Sequence, residues 1–96
     1  MSPLCVGAMC LLCIGGHPAP RSHSVTYGGL HTRPGYERDH IIPLCLGGTD
    51  TRDNLQYQPT HEARAKDVRE RHACEAYCRG DVSLDAARAQ FHREYR

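Results

Sequence analysis

Hydrophobic positions pass through distinct regimes along the chain: an unbroken apolar run, an aperiodic stretch, and a region where alternation gives way to helical spacing. Pro3–Gly16 is uncharged, and His17-Pro18-Ala19-Pro20 ends it with residues that no helix continues through. Arg21–Pro34 is rich in Ser, Gly, His and Pro without periodicity, and reads as an irregular lead-in. From Tyr36 the pattern becomes regular. Tyr36–Leu46 is β-rich at its start, and Pro43 closes that strand early because it has no N–H for a ladder. Gly47–Asn54 is a loop of turn formers, and Leu55–Gln58 alternates as a half-buried strand that Pro59 stops.

Thr60 then predicts an N-cap for a helix reaching Arg79, with Gly80 at its C-terminal stop. Ala65, Val68, His72 and Ala76 recur at helical spacing and predict its buried face, which makes His72 a packing residue. Ser83 predicts the cap of a second helix from Leu84 to about Glu94. Its stripe of Leu84, Ala87, Phe91 and Tyr95 would cover the first helix, leaving His92 in solvent. The order strand, loop, strand, helix, helix is an α+β domain over 36–96, preceded by a lead-in at 21–35 and a leader-like segment at 1–20.

Composition narrows the picture. Ninety-six residues make one small domain. Pro3–Gly16 is too short to span a bilayer comfortably. It reads as the apolar region of an export signal, although no Lys or Arg precedes it and no clean cleavage site follows. A buried N-terminal element is the alternative, as is a metal or redox site begun by Cys10-x-x-Cys13. Export to the periplasm or outside is favoured over the cytosol. Twelve basic against eleven acidic side chains give a net charge of +1, so no global field marks a nucleic-acid binder. Large aliphatic residues are sparse after Tyr36, and a core that thin calls for a metal or a disulfide. One pair among Cys45, Cys74 and Cys78 could supply it. A zinc module built from Cys10, Cys13, Cys74 and Cys78 ranks last.

Chemistry concentrates at Asp39-His40. Adjacent strand residues point to opposite faces, so the two can serve one substrate only where the strand bends, as Pro43 predicts. Asp39 is a hard oxygen donor for a divalent cation, and His40 is a base near neutral pH. Asn54 returns beside the first strand, where its amide could orient His40 or pin the loop. As a dipeptide alone, Asp-His is more often an ordinary surface pair.

The longer pattern changes that. Tyr36-Glu37-Arg38-Asp39-His40-Ile41-Ile42-Pro43-Leu44, Gly47-Gly48 and Asp53-Asn54-Leu55-Gln56 resemble the HNH (ββα-metal) endonuclease family, including the fourteen-residue step from His40 to Asn54. Ala63-Arg64-Ala65-Lys66-Asp67, followed by Arg69-Glu70-Arg71, is similar to a subgroup with many small exported bacterial members. Cys78-Arg79-Gly80 and Ser83-Leu84 resemble that subgroup's C-terminal helical hairpin.

The resemblance implies a ββα-metal motif followed by that hairpin. It implies Asp39 as metal ligand, His40 as general base and Asn54 as the positioning asparagine. It implies a divalent cation, Mg²⁺ foremost with Mn²⁺, Ni²⁺ or Zn²⁺ as alternatives, and DNA as partner with RNA left open. The family's usual second ligand position, nine residues after the asparagine, is Ala63 here. His61 in the same first helical turn is the expected substitute, with Glu62 and Asp67 behind it. Arg38, Arg64 and Lys66 are the expected nucleic-acid contacts, with Lys66 meeting a phosphate. The reading is a metal-dependent DNA endonuclease of low sequence selectivity. The alternative is a non-catalytic nucleic-acid or protein-binding module with a degraded metal site.

Overall fold

Tyr36, Glu37, Arg38, Asp39 and His40 form strand β1, which ends three residues before Pro43. The computed structural model describes residues 25–95. The leader-like run, Cys10-x-x-Cys13, His17 and His23 therefore lie outside the described residues. Strand β2 (Leu55–Pro59) pairs antiparallel with β1, placing Asp39 opposite Gln56 and His40 opposite Leu55. One further ladder bond follows, from Ile41 N–H to the Asn54 carbonyl at 2.8 Å. Beyond it Pro43 turns the chain into a 3₁₀ turn at Leu44–Leu46, which Gly47 closes in the left-handed region at φ 80°.

β2 runs straight into helix α1 (Thr60–Arg79). The sequence predicts Thr60 as cap, but Thr60 is the first helical residue and Pro59 occupies the cap position without a side-chain bond. The reason is the absence of a linker: the Thr60 N–H, held at the end of the ladder, donates to the Gly35 carbonyl at 3.0 Å. Gly80 ends α1 as predicted, at φ 83°, its N–H on the Ala76 and Tyr77 carbonyls.

The inward face of α1 differs from the aliphatic stripe. Ala63, Lys66, Ala73, Cys74 and Cys78 are buried, whereas Ala65 and His72 are exposed and Val68 is 38% exposed. Apolar periodicity misses this face because its members are small, sulfur-bearing or charged. The core gathers Leu46, Ala73, Cys74, Ala87 and Phe91, with Ile42, Tyr77, Val82 and Leu84 packed against it. A Cys45–Cys74 disulfide, Cα atoms 6.0 Å apart, joins the 3₁₀ turn to α1. That supplies the staple the thin core calls for, and it removes Cys74 from any zinc set.

Helix α2 (Leu84–Arg88) is capped by Ser83, whose Oγ accepts from Ala86 N–H at 3.0 Å. It stops well short of Glu94. Gln56 Oε1 accepts from Glu94 N–H at 2.8 Å and Tyr95 N–H at 3.1 Å, while Arg93 donates to the Leu55 carbonyl at 2.9 Å. Backbone groups that a longer helix would use internally are spent on β2 instead. The last residues form a strap across the sheet, and the expected hairpin shrinks to a long helix with one short partner. Among the described residues no helix is long and apolar enough to cross a membrane.

Candidate functional site

β1 delivers Asp39 and His40 to opposite sides at its exit. Asp39 faces α1, where its Oδ1 accepts from Lys66 Nζ at 3.1 Å and its Oδ2 from Gln56 Nε2 at 2.9 Å. Lys66 also donates to the His40 carbonyl at 2.9 Å and to Glu70 Oε2 at 2.6 Å. Three ammonium protons thus meet three oxygens in a site where the lysine is 1% exposed. Lys66, the only lysine among twelve basic residues, is therefore an internal strut and not the surface phosphate contact that the sequence suggests. Burial raises the Glu70 carboxyl above its ordinary pKa, with the Lys66 hydrogen bond opposing.

On the other side, His40 Nε2 lies 2.7 Å from Asp50 Oδ1, and the imidazole stacks on Tyr27 with ring centroids 5.0 Å apart. Asp50 also accepts from Thr26 N–H at 2.6 Å, Thr26 Oγ1–H at 3.0 Å and Tyr27 N–H at 2.9 Å. The His40 bond, then those from Thr26 and Tyr27, hold its carboxyl down at about 2. An ionised carboxylate only accepts, so Nε2 of the His40 ring carries a proton, and in the neutral form of the ring the lone pair is on Nδ1. That is the state a general base needs.

Tyr27 is the one described non-glycine residue at positive φ, 53°. A bulky side chain there is strained unless its surroundings hold it. Asp50 supplies that hold, and Arg52 adds bonds to the Gly28 and Gly29 carbonyls at 3.1 and 3.3 Å. The described part of the lead-in is thus tied to the loop. Asp50 and Tyr27 escape sequence reading: Asp50 lies among turn formers and Tyr27 in an aperiodic stretch, so neither carries a local signal.

Asn54 pins the loop and does not touch His40. Its Oδ1 accepts from Ile42 N–H at 2.9 Å, and its Nδ2 donates to the Ile42 and Thr49 carbonyls at 3.0 and 2.8 Å. A Cβ on Gly48 would stand 2.7 Å from the Ile42 carbonyl carbon and 2.9 Å from Asn54 Nδ2, so this crossing admits only glycine. Arg38 donates to the Leu30 carbonyl at 3.1 Å and lies over the Tyr27 ring, 4.3 Å from its centroid. Arg64 is exposed on α1.

A cleft of ≈ 300 Å³ opens beside this pair, with Asp39, His40, Glu37, Arg38, Asp67 and Glu70 among its walls. His61 is not one of them. Its side chain is 81% exposed, 3.4 Å from Glu62, so the expected substitution for Ala63 is not made; Ala63 itself is buried. Among the described residues no three His, Cys, Asp or Glu side chains converge on one point. Asp39 keeps unused lone pairs, and the cleft's other carboxylates are those of Glu37, Asp67 and Glu70, beside the His40 ring and the Gln58 amide. That set fits a hard cation such as Mg²⁺, which binds through one or two carboxylates while keeping waters and taking substrate phosphate oxygens. It does not fit a closed cage. No family model, curated protein or solved structure matches the chain.

Proposed function

We propose that the chain hydrolyses phosphodiester bonds of DNA as a metal-dependent endonuclease of the HNH type, with low sequence selectivity. The supporting observation is the His40–Asp50 pair at 2.7 Å, which leaves Nδ1 of a stacked, oriented imidazole as a base beside an acidic cleft. A divalent cation held by Asp39 would neutralise the phosphate and the charge that grows on the leaving oxygen. His40 Nδ1 takes a proton from water as the water oxygen bonds to phosphorus. The bond to the leaving oxygen breaks, and that oxygen takes a proton from solvent. Asp50 and the Tyr27 ring fix the imidazole, so little orientation is lost on reaction. Asn54 holds the loop carrying Asp50. Lys66 holds the backbone of His40 and the carboxylate of Asp39 in one position. Arg38 at the rim has guanidinium protons to spare for a phosphate oxygen.

A second reading, a non-catalytic nucleic-acid or protein-binding module, draws on the ammonium of Lys66 resting against Asp39 and on Ala63 at the usual ligand position. A fixed positive charge there weakens cation binding. Plasmid nicking with Mg²⁺, Mn²⁺, Ni²⁺, Zn²⁺ or EDTA, alongside His40→Ala, separates the two. Cation-dependent cleavage lost in the variant is the expected result. A folded protein that fails to cleave with any of these cations, and whose melting temperature none of them raises through Asp39, would leave the binding module as the answer.

A further inference from the structure

The cleft beside His40 has a neighbour. A second cavity of ≈ 260 Å³ is lined by Tyr27, Thr32, Tyr36, Glu37 and Arg38, and three of these residues, Tyr27, Glu37 and Arg38, also line the first cleft. Two aromatic rings border this side cavity, and both are held. Tyr27 is stacked on His40 and covered by the Arg38 guanidinium at 4.3 Å. Tyr36, 38% exposed, carries the Arg33 guanidinium 4.2 Å from its centroid and meets Tyr57 edge-on with centroids 6.4 Å apart. Tyr57 is fixed in turn by its hydroxyl, which donates to the His31 carbonyl at 2.6 Å. None of this belongs to the hydrophobic core, and strand β1 pairs without it. The exposed Tyr36, flanked by Arg33 and Arg38 and backed by the half-buried Tyr27 and Tyr57, forms a surface on which a flat, electron-rich ring stacks. Glu37 on the wall can accept from an exocyclic amino group, and Arg38, shared by both cavities, can bridge a ring in one to a phosphate in the other.

We propose that this side cavity is a nucleobase subsite, taking the base of an unpaired nucleotide next to the scissile phosphate. Single-stranded or locally unpaired nucleic acid is then the substrate class. A base inside a duplex has both faces stacked and cannot offer one to Tyr36 unless it leaves the helix. The charge balance agrees. With a net charge of +1 the chain has little counterion release to draw on, so stacking has to supply affinity that a basic groove supplies elsewhere. The position of the phosphate rests on the nuclease reading; the base subsite itself can be tested without it.

The test is fluorescence anisotropy of a labelled twelve-nucleotide mixed-sequence strand against its own duplex. It uses the full chain in EDTA, for wild type, Tyr36→Ala, Tyr36→Leu and Tyr36→Phe. The single strand should bind at least ~10-fold more tightly than the duplex. Tyr36→Ala and Tyr36→Leu should each weaken strand binding by about 10-fold, while Tyr36→Phe keeps it and duplex binding does not move. The leucine variant retains bulk on β1, so a packing loss in the alanine variant cannot imitate the effect. Deoxyribo- and ribo-strands run in parallel show which sugar is taken, and tight binding of either supports the subsite. Equal binding of strand and duplex, or a strand affinity indifferent to Tyr36→Leu, overturns it. Tyr36-dependent strand binding by a protein that nicks nothing would sustain the subsite and remove the nuclease reading. His40-dependent nicking without strand preference would do the reverse.

Discussion

Lys66→Met keeps most of the lysine stem and deletes only the charge and its three hydrogen bonds. The ammonium lies 3.1 Å from Asp39, 2.6 Å from Glu70 and 2.9 Å from the His40 carbonyl, and side-chain exposures are 1%, 11% and 22% for Lys66, Asp39 and Glu70. Its loss leaves two carboxyls facing each other with little water, a situation that costs about 3–5 kcal/mol when one partner of a buried pair is removed. The lower end applies here. Glu70 already titrates above its ordinary value because of burial, so it escapes part of the penalty by taking a proton. A loss of about 3 kcal/mol in a domain of this size lowers the melting temperature by roughly 12–24 °C. Urea unfolding at neutral pH followed by far-ultraviolet circular dichroism measures it, and the triple variant Lys66→Met/Asp39→Asn/Glu70→Gln should recover much of the deficit. If Lys66→Met alone loses less than about 1 kcal/mol, the cluster is screened like an exposed ion pair. Its role as a strut behind Asp39 and His40 would then be wrong.

Cys45→Ser opens a disulfide spanning 29 residues and should cost roughly 3–4 kcal/mol, read as a lowered urea midpoint without reductant. Asn54→Ala leaves the Ile42 N–H, the Ile42 carbonyl and the Thr49 carbonyl without their partner, for a loss of about 3 kcal/mol by thermal melting. Nicking should fall further than stability predicts, because the loop bearing Asp50 loosens. Asp50 titrates at about 2 in place of 3.8, so the folded state holds that proton less tightly than the unfolded chain. The stability it contributes is complete above its ordinary pKa and drains away as pH falls toward about 2. Asp50→Asn should flatten the stability–pH curve in that window. It should also lower nicking at neutral pH by roughly 10–100-fold, part of the ~10²–10⁴-fold that a positioned general base supplies; an unchanged rate would detach Asp50 from His40.

Local signals in the chain determined the skeleton. Pro43 stops β1 because it lacks an N–H, Gly80 ends α1 because φ 83° suits no side chain, and Ser83 caps α2 through its own oxygen. Each operates within a few residues, so each can be read without the fold, as can the return of Asn54 beside the exit of β1. Asp39 and His40 at that exit were legible for the same reason.

What the tertiary structure alone decided involves partners far apart in the chain. Lys66 is inside because Asp39 stands 27 residues away to receive it, and no apolar periodicity announces a buried charge. The α1 face is therefore turned away from Val68 and His72. Asp50 reaches Tyr27 across 23 residues and His40 across 10, converting a turn residue into the partner of an imidazole. His61 sits in the expected turn but on the outer side, because Ala63 and Lys66 fix which way the helix faces. α2 does not run on to Glu94 because Gln56, 38 residues before Glu94, takes the Glu94 and Tyr95 N–H groups. Propensity sets where elements begin and end; the pairing of polar groups removed from water sets which side of them faces inward.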